Sequence, residues 1–183
     1  MTDEEALQLA RQGREEGFRA LYDRYSGSLY RLALSLLRDR ALAEDALQEA
    51  LTSGFRSLST FRGDCRLKTW FYRIVYHASL RQKKCRQNEI SVYVLPEEMG
   101  TGMEPGRESS VENRLDVETI LNRMPEKDRY LLVMAYWDDL SGLEIAEILG
   151  INANHVKILL FRARARFAQL WGKREATELE KTA

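Results

Sequence analysis

The feature that most constrains this chain is a basic, aromatic-rich segment, FRGDCRLKTWFYRIVYHASLRQKKCRQN at 61–88. Its apolar residues recur at the i, i+3, i+4 and i+7 spacing of one buried helical stripe. These are Leu67, Trp70, Phe71, Ile74, Val75 and Ala78. We expect the cations and rings off this stripe to be exposed, namely Arg66, Lys68, Tyr72, Arg73, Tyr76, His77 and Arg81. Cations interleaved with flat rings are typical of a nucleic-acid-binding surface.

Charge is distributed in blocks along the sequence, although the 28 Lys and Arg balance the 28 Asp and Glu. Segment 62–86 holds eight basic residues and one acidic residue, and segment 156–174 holds six basic residues and no acidic one. Between them, 87–120 holds two basic and eight acidic residues. Two cationic blocks separated by an acidic one predict two nucleic-acid contacts on a chain that elsewhere repels a polyanion.

Bulk composition favours a helical globular protein. Of the 183 residues, 44% are hydrophobic and 31% are charged, with 11 Gly and 3 Pro. No run approaches the ~20 apolar residues of a membrane span, and the acidic N-terminus is unlike a signal peptide. We therefore expect a cytoplasmic protein without membrane insertion. Cys65 and Cys85 are predicted to be free thiols, and with His77 and His155 in distant segments we expect no metal and no cofactor.

The first sixty residues predict three helices. A short one lies around 4–11 and a long amphipathic one spans 15–38, and Asp39 is a plausible N-cap for the third. The buried side of this third helix consists of Ala43, Ala46, Leu47, Ala50, Leu51 and Phe55. Its other side is acidic, with Glu44, Asp45, Gln48 and Glu49. That face is either a solvated helix surface or a protein-docking surface. Gly54 and the Ser57–Thr60 run predict a loop before Phe61.

Segment 89–110 has no sustained periodicity and contains two of the three prolines, which predicts a linker and a domain boundary. Helical periodicity resumes over 111–121, and Pro125 is predicted in the first turn of the next helix. Ser141 and Glu144 then form an S-x-x-E capping box. Gly150 ends that helix and a tight connection leads to a basic helix. This pattern predicts a helix-turn-helix, with a helical hairpin of a structural bundle as the alternative.

Three ordered motifs resemble the extracytoplasmic-function (ECF) sigma factors of bacterial RNA polymerase. DRALAEDALQEA at 39–50 is similar to the segment of the family that docks on the polymerase clamp helices. FRGDCRLKTWFYRI at 61–74 resembles its promoter-melting and minus-ten segment. MPEKDRYLLVMAYWDDLSGLEIAEILGINANHVKILLFRARARF at 124–167 resembles its minus-thirty-five domain.

The resemblance implies an all-α protein of two small helical domains joined by a flexible acidic linker. A sigma region 2 helical bundle would occupy 1–88, the linker 89–110, a sigma region 4 helix-turn-helix domain 111–175, and a tail 176–183. Such a chain would bind core RNA polymerase at its clamp and flap and direct promoter-specific initiation on double-stranded and melted DNA. It would not be an enzyme. An anti-sigma factor is the expected partner, able to hold the chain at the membrane.

The resemblance also implies residue roles. Minus-ten contacts are expected from Phe61, Arg62, Asp64, Cys65, Lys68, Tyr76, His77, Arg81, Lys83 and Lys84. Minus-thirty-five contacts are expected from Asn154, His155, Lys157, Ile158, Phe161 and Arg162. Polymerase contacts are expected from Asp45, Gln48 and Glu49. Melting a promoter requires contacts to unpaired bases beside cations that neutralise phosphates, and 61–86 supplies both.

The sequence departs from the family pattern at four positions. Ile158 and Leu159 replace a small polar residue and an Arg, while His77 and Arg81 stand where Asn and Asp are common. The apolar pair could contact thymine methyl groups, weaken or respecify the minus-thirty-five interaction, or serve a protein partner. Two rival functions stay open at this point. One is a stand-alone helix-turn-helix regulator, and the other is a sigma-like protein-interaction module.

Overall fold

A computed structural model describes the backbone of residues 1–90 and 111–182 and the side chains of residues 1–86 and 117–173. Within these residues the chain forms eight α-helices, one 3₁₀ turn and no strand. The helices are α1 (Asp3–Arg11), α2 (Glu15–Leu37), α3 (Arg40–Ser57), α4 (Leu67–Ile90), α5 (Val111–Arg123), α6 (Glu126–Tyr136), α7 (Gly142–Leu149) and α8 (Ala153–Thr182), with the 3₁₀ turn at Leu58–Thr60. The predicted all-α class is confirmed.

Local signals place the helix ends. Thr2 and Glu5 form a capping box at the start of α1, and the Asp39 carboxylate accepts a hydrogen bond from the Leu42 backbone N–H at 3.2 Å, as predicted. Arg38 ends α2 in the left-handed conformation with φ 56°. Pro125 occupies the N-cap of α6, immediately before the first turn in which it was predicted.

Helices α1 to α4 pack into a bundle around aromatic and aliphatic side chains. The Phe71 ring contacts the rings of Tyr25 and Phe55 at centroid distances of 5.7 Å and 5.8 Å. The predicted loop at Gly54 is wrong, because α3 continues through it to Ser57. A Cβ atom at Gly54 would lie 2.9 Å from Phe71 Cε1, so this glycine allows close packing of α3 against α4. Glycine commonly interrupts a helix, but Gly54 lies within α3 and lets that helix pack closely against Phe71.

Helices α7 and α8 form the predicted helix-turn-helix. The Ser141 hydroxyl accepts from the Glu144 backbone N–H at 3.3 Å, and Glu144 Oε2 accepts from the Ser141 backbone N–H at 2.9 Å, which completes the capping box. Gly150 ends α7 with φ 66°, the left-handed conformation that glycine adopts without a steric cost. Two residues of α8 are fully buried: Val156 in the cluster that contains α6 and α7, and Ala163 in the one that contains α5 and α6.

The bundle of α1 to α4 and the unit of α6 to α8 share one continuous hydrophobic core. Tyr130, Leu131 and Met134 of α6 belong to the same buried cluster as Tyr72 and Val75 of α4. Helix α2 packs against α6, and α4 packs against α7. A second cluster around Ile120, Met124 and Leu132 joins α5 and α6 to α8. The two predicted domains are therefore in direct contact.

A buried arginine joins the two units at the end of α2. Arg129 of α6 is 4% exposed, and its Nε donates to the Ser35 carbonyl at 2.7 Å. The last four carbonyls of a helix lack partners within the helix and carry the negative end of its dipole. Arg129 therefore caps α2 from the neighbouring unit. Burial lowers the pKa of Arg129 to about 10, with a smaller effect of the Arg38 charge.

The predicted linker begins within α4, and the predicted tail continues α8. Of the predicted linker 89–110, residues 89 and 90 form the end of α4, and the remainder lies outside the described residues. The predicted tail 176–183 is helical as far as Thr182, where α8 ends. No helix among the described residues is both long enough and apolar enough to cross a membrane.

Candidate nucleic-acid interface

The loop before α4 is held in place by the first helix. Arg11 donates from Nε to the Leu58 carbonyl at 3.2 Å and from its guanidinium to the Phe61 carbonyl. Phe61 is half-buried, with its ring 5.3 Å from that of Trp70. Trp70 is itself half-buried, while Phe71, also predicted in the core, is 1% exposed. The loop therefore presents a supported aromatic platform rather than a freely rotating ring.

Half of the predicted minus-ten residues lie on free surface. Exposed side chains belong to Arg62, Asp64, His77, Arg81 and Lys84. His77 adjoins the Tyr76 ring at a centroid distance of 5.6 Å, which places an imidazole beside a phenol on one side of α4. Cys65 is half-buried, and this burial raises the pKa of its thiol. Cys65 and Cys85 are both free thiols, as predicted.

Three other predicted minus-ten residues of α4 contact α6 or Asp138, which follows it, namely Lys68, Tyr76 and Lys83. Lys68 Nζ donates to the Asp138 carbonyl, and Lys83 forms an ion pair with Glu126. The Tyr76 ring lies 5.9 Å from that of Tyr130. The expectation that Tyr72 is exposed is wrong, because its side chain is completely buried at this contact. The helices α6 and α7 pack against a face of α4 that lies outside its apolar stripe.

The sequence did not lead us to predict that these residues contact a second helical unit. Their spacing along the chain nevertheless indicates such a contact. Lys68, Tyr72, Tyr76, Ser79 and Lys83 recur at spacings of four, four, three and four residues, which is the spacing of a second helical stripe on α4. Ser79 and Tyr72 are both fully buried on it.

A buried carboxylate stands at the centre of the contact. Asp138 follows α6, and its Oδ1 accepts from Arg31 Nη2 of α2 at 2.9 Å. The Asp138 side chain is 0% exposed, and burial raises its pKa although the Arg31 charge opposes that rise. Burial likewise raises the pKa of the neighbouring Tyr72 phenol. The phenol lies near enough to Asp138 to lower the pKa of its carboxyl. Neither Tyr72 Oη nor Asp138 Oδ2, however, has a hydrogen-bond partner of good geometry.

The recognition face of the helix-turn-helix is open. All six predicted minus-thirty-five residues, Asn154, His155, Lys157, Ile158, Phe161 and Arg162, are exposed on α8. Ile158 is 50% and Phe161 is 69% exposed, so two large apolar side chains stand beside cations. Leu159 differs, because it is half-buried against the shared core. Only Ile158 of the unusual apolar pair is therefore available to a ligand.

The acidic face of α3 is also exposed. Asp45, Gln48 and Glu49 point away from the core. A shallow groove beside them is lined by Gln48, Glu49, Thr52, Ser53, Arg56, Ser57 and Thr60. Glu49 has a partner within the chain, since Arg81 Nη2 donates to its Oε1 at 2.7 Å. Among the described residues no group of His, Cys, Asp and Glu is arranged to hold a metal ion.

Comparison with known proteins matches both units. The family model for Sigma-70 region 2 matches residues 21–89, and that for Sigma-70, region 4 matches residues 114–167. The ECF RNA polymerase sigma factor SigM of Mycobacterium tuberculosis is 31% identical over 176 residues, which cover 93% of this chain and 85% of that protein. This chain belongs to the ECF sigma factors. RNA polymerase sigma factor SigV of Bacillus subtilis is 31% identical over 138 residues, 73% of this chain and 78% of that protein.

The same fold is seen in solved structures. The sigma factor RpoE of Bartonella quintana, in complex with the anti-sigma factor NepR, matches with a TM-score of 0.72 at 23% identity, covering 84% of this chain and 95% of that one. CnrH, in complex with the cytosolic domain of CnrY, matches with a TM-score of 0.67 at 19% identity, covering 93% and 97%. The family matches and the SigM relative confirm the predicted family. The region 2 match covers most of α2 together with α3 and almost all of α4, and the region 4 match covers most of α5, all of α6 and α7 and the first half of α8.

Proposed function

We propose that this ECF sigma factor binds core RNA polymerase and directs it to promoters through two DNA contacts. One observation carries the proposal: the chain joins a basic aromatic helix in region 2 to an exposed basic recognition helix in region 4. A stand-alone helix-turn-helix regulator would not need the basic aromatic helix of region 2. The match to region 2 over residues 21–89 does not favour such a regulator. The chemistry of RNA synthesis belongs to the polymerase, and the sigma factor contributes no catalytic group.

In region 2 the proposed contact is to the melted minus-ten element. Phe61, supported by Trp70, offers a ring on which an unpaired base can stack, with His77 farther along α4. The exposed cations Arg62, Arg81 and Lys84 neutralise phosphates. Lys68, Tyr76 and Lys83 belong to the same proposed surface but lie under region 4 in this structure.

In region 4 the proposed contact is to duplex DNA in the major groove, as a helix-turn-helix requires. Asn154 and His155 lie in the first turn of the recognition helix, and the side chain of Asn152 caps it by accepting from the Asn154 backbone N–H at 2.8 Å. Lys157 and Arg162 neutralise phosphates, while Ile158 and Phe161 face base edges. Thymine presents the only methyl group in the major groove, so these two side chains favour thymine-containing sites.

The acidic face of α3 is the proposed polymerase-docking surface. Asp45, Gln48 and Glu49 are exposed there, and acidic side chains free of a DNA-binding role suit a basic protein partner. We further infer a cytoplasmic location, where promoter DNA is found. The two structural neighbours were each solved with an anti-sigma factor or a partner's cytosolic domain, and we propose that a protein of this type also regulates this chain.

The decisive experiment is reconstitution with core RNA polymerase. Added to core enzyme, the chain should stimulate transcription from a subset of a promoter pool. The charge-reversal variant D45K/E49K should abolish stimulation, whereas E15K/D23K, which reverses two exposed charges of α2, should retain it. A chain that binds duplex DNA tightly alone and never stimulates polymerase would be a regulator instead.

A further inference from the structure

Helix α1 lies outside the region 2 match, which begins at residue 21, and it nevertheless holds the loop that leads into α4. We propose that Arg11 of α1 is a positioning residue for minus-ten recognition. Its guanidinium fixes the backbone that carries the Phe61 ring, so that an unpaired base meets a ring already in place. The inference rests on the proposed function in taking the Phe61 ring as the base-stacking surface, and it adds a further helix to the minus-ten contact.

Arg11 binds the first residue and the C-cap of the 3₁₀ turn that precedes the loop. Its Nε donates to the Leu58 carbonyl at 3.2 Å, and its Nη2 donates to the Phe61 carbonyl. The Leu58 carbonyl also accepts from the Phe61 backbone N–H at 3.3 Å. One guanidinium can bridge two carbonyls because its donors form a planar, rigid fork. The position of the Phe61 backbone is therefore set from α1 as well as by its own turn.

Helix α1 is a firm support because it is attached to α2 independently of the loop. Arg24 of α2 forms an ion pair with Asp3 and donates to the Met1 carbonyl at 2.5 Å, and Tyr25 Oη donates to Asp3. Farther along, Gly17 lets the backbone of α2 approach that of α1 so closely that a Cβ atom at this position would collide with it. Arg11 therefore extends to the loop from a helix that is already fixed.

Beyond Phe61 the loop has few other attachments. Residues 62–65 form no backbone–backbone hydrogen bond with the rest of the described chain. The Phe61 ring contacts that of Trp70 at a centroid distance of 5.3 Å, and the Cys65 side chain is half-buried. A segment with so few attachments can open locally without unfolding the bundle. Removing the two hydrogen bonds of Arg11 should therefore loosen the loop and leave the helices intact.

Stacking of a base gains from a ring that is held in place. One base stacked on an aromatic side chain changes affinity roughly 5- to 150-fold. A loop already in its bound conformation avoids the cost of being ordered on binding. If the loop without Arg11 is competent for about a fifth of the time, the apparent affinity for the melted minus-ten strand falls about fivefold. Because Arg11 acts through Phe61, this loss should disappear when either the ring or the base is absent.

A direct phosphate contact by Arg11 is the alternative explanation, since its side chain is a cation near the proposed DNA surface. The variant R11K separates the two, because an ammonium keeps the charge and cannot bridge two carbonyls in a fixed plane. A phosphate contact would survive in R11K, and its loss in R11A would lower the salt slope for single-stranded DNA by about 0.7. Positioning predicts that R11K resembles R11A and that the slope is unchanged in both variants.

The first measurement follows the loop in the free full-length chain. In a C85S background Cys65 is the only thiol, and its rate of reaction with a thiol reagent reports how often the loop opens. We expect labelling about fivefold faster in R11A and R11K than in the parent. The matched control R24A removes an arginine that attaches the start of α1, and it should label at the parental rate.

Helical content and the urea midpoint, measured for each variant, distinguish loop opening from misfolding, and R11K is decisive if R11A does not fold. Parental labelling rates in a folded R11A or R11K would overturn the positioning role. A decrease of the salt slope in R11A that R11K restores would assign Arg11 to a phosphate instead, and would overturn it as well.

The second measurement uses the chain bound to core polymerase. The probe is a fragment with an unpaired minus-ten strand, from a promoter that the parent transcribes, in versions that each carry one abasic position. The abasic version on which F61A has no effect identifies the stacked base. R11A should bind the intact fragment about fivefold more weakly than R24A does, and should cause no loss on that abasic version or in the F61A background. Equal losses on intact and abasic fragments, or additive losses in F61A/R11A, would overturn action through Phe61.

The two measurements separate this inference from the proposed function. A parent chain that never stimulates core polymerase would overturn the proposed function, and the labelling rates would still decide whether Arg11 sets the loop. A parent that transcribes, beside an R11A variant with parental labelling and parental DNA affinity, would overturn the role of Arg11 and leave the proposed function standing.

Discussion

Arg81 Nη2 donates to Glu49 Oε1 at 2.7 Å, and this hydrogen bond joins a proposed minus-ten residue to a proposed polymerase-docking residue. Gln82 lies within 3.5 Å of the other oxygen of the same carboxylate. In the proposed function polymerase takes Glu49, and Arg81 then loses its partner and becomes available to a phosphate. We therefore propose that docking on the polymerase and release of a DNA-binding cation are linked in this pair of side chains on α3 and α4.

The variant E49Q should therefore change two binding equilibria in opposite directions. In the wild type the side chains of Arg81 and Glu49 are 57% and 42% exposed, so their ion pair contributes less than about 1 kcal/mol. Freeing Arg81 should therefore raise the affinity for single-stranded DNA about two- to fivefold. Affinity for core polymerase should fall. Fluorescence anisotropy measures the first and competition binding the second. E44Q, an equal charge change on the same helix, should leave DNA affinity unchanged, and an equal gain in both variants would contradict the linkage.

Two glycines of α2 should respond oppositely to alanine. A Cβ at Gly17 would lie 2.3 Å from the Ala10 backbone nitrogen, so G17A forces α1 away from α2 and should destabilise the protein by about 3 kcal/mol. A Cβ at Gly27 would meet nothing within 4 Å, and G27A should stabilise it by about 0.5–1 kcal/mol through the higher helix propensity of alanine. Urea denaturation measures both. Equal effects in the two variants would contradict the packing of α1.

The proposed contact of Ile158 with DNA can be tested one methyl group at a time. Replacing thymine by uracil in the minus-thirty-five element removes only the methyl group, and this should cost the wild type about 0.8 kcal/mol at each position that Ile158 or Phe161 covers. I158S should bind thymine and uracil versions equally at its own position. Binding by the sigma factor–polymerase complex to substituted duplexes measures this. Uracil in the spacer serves as the control, and loss there of similar size would argue against a specific contact.

The capping box at Ser141 gives a pH-dependent contribution to stability. Burial raises the pKa of Glu144, but hydrogen bonds from Ser141, with help from Arg66 and Thr69, outweigh it and leave the pKa below its ordinary value of 4.5. The stabilisation is therefore fully present above that ordinary value and is lost as the pH falls through the lowered pKa.

The comparison variant for Glu144 is E144Q, which keeps a side-chain cap without the charge. It should be less stable than the wild type at pH 7, and the difference should shrink as the pH falls below 4.5 and Glu144 becomes protonated. S141A should instead lose about 1 kcal/mol at pH 7 by removing the cap itself. Urea midpoints across this pH range measure the differences. A constant gap between the wild type and E144Q would refute a role for the Glu144 charge.

The buried Arg129 should be sensitive to truncation. R129A leaves the Ser35 carbonyl without its donor and opens a cavity between α2 and α6, which should cost about 3 kcal/mol. R129M fills the space and removes the buried charge, so it should cost less than R129A. Thermal or urea unfolding measures both variants. Equal losses would show that the hydrogen bond, rather than packing, dominates this position.

Local structure and the recognition unit followed from the sequence by itself. Capping boxes, the Asp39 N-cap and the αL glycine at 150 depend on residues within four positions of each other, and so do the amphipathic stripes of α2 and α8. The family, the two cationic blocks and the exposed face of α8 depend on the same short-range patterns. For these features the information lies within one or two helical turns.

Tertiary structure alone decided which groups of α4 are free. Tyr72 was expected on the surface and is buried, and Gly54 was expected in a loop and lies within a helix against Phe71. In both cases the deciding partner is distant in sequence. Asp138, which lies beside Tyr72, is 107 residues from Arg31 and 70 from Lys68. Periodicity shows that a helix face can be buried, but only the packing of the second unit shows by what.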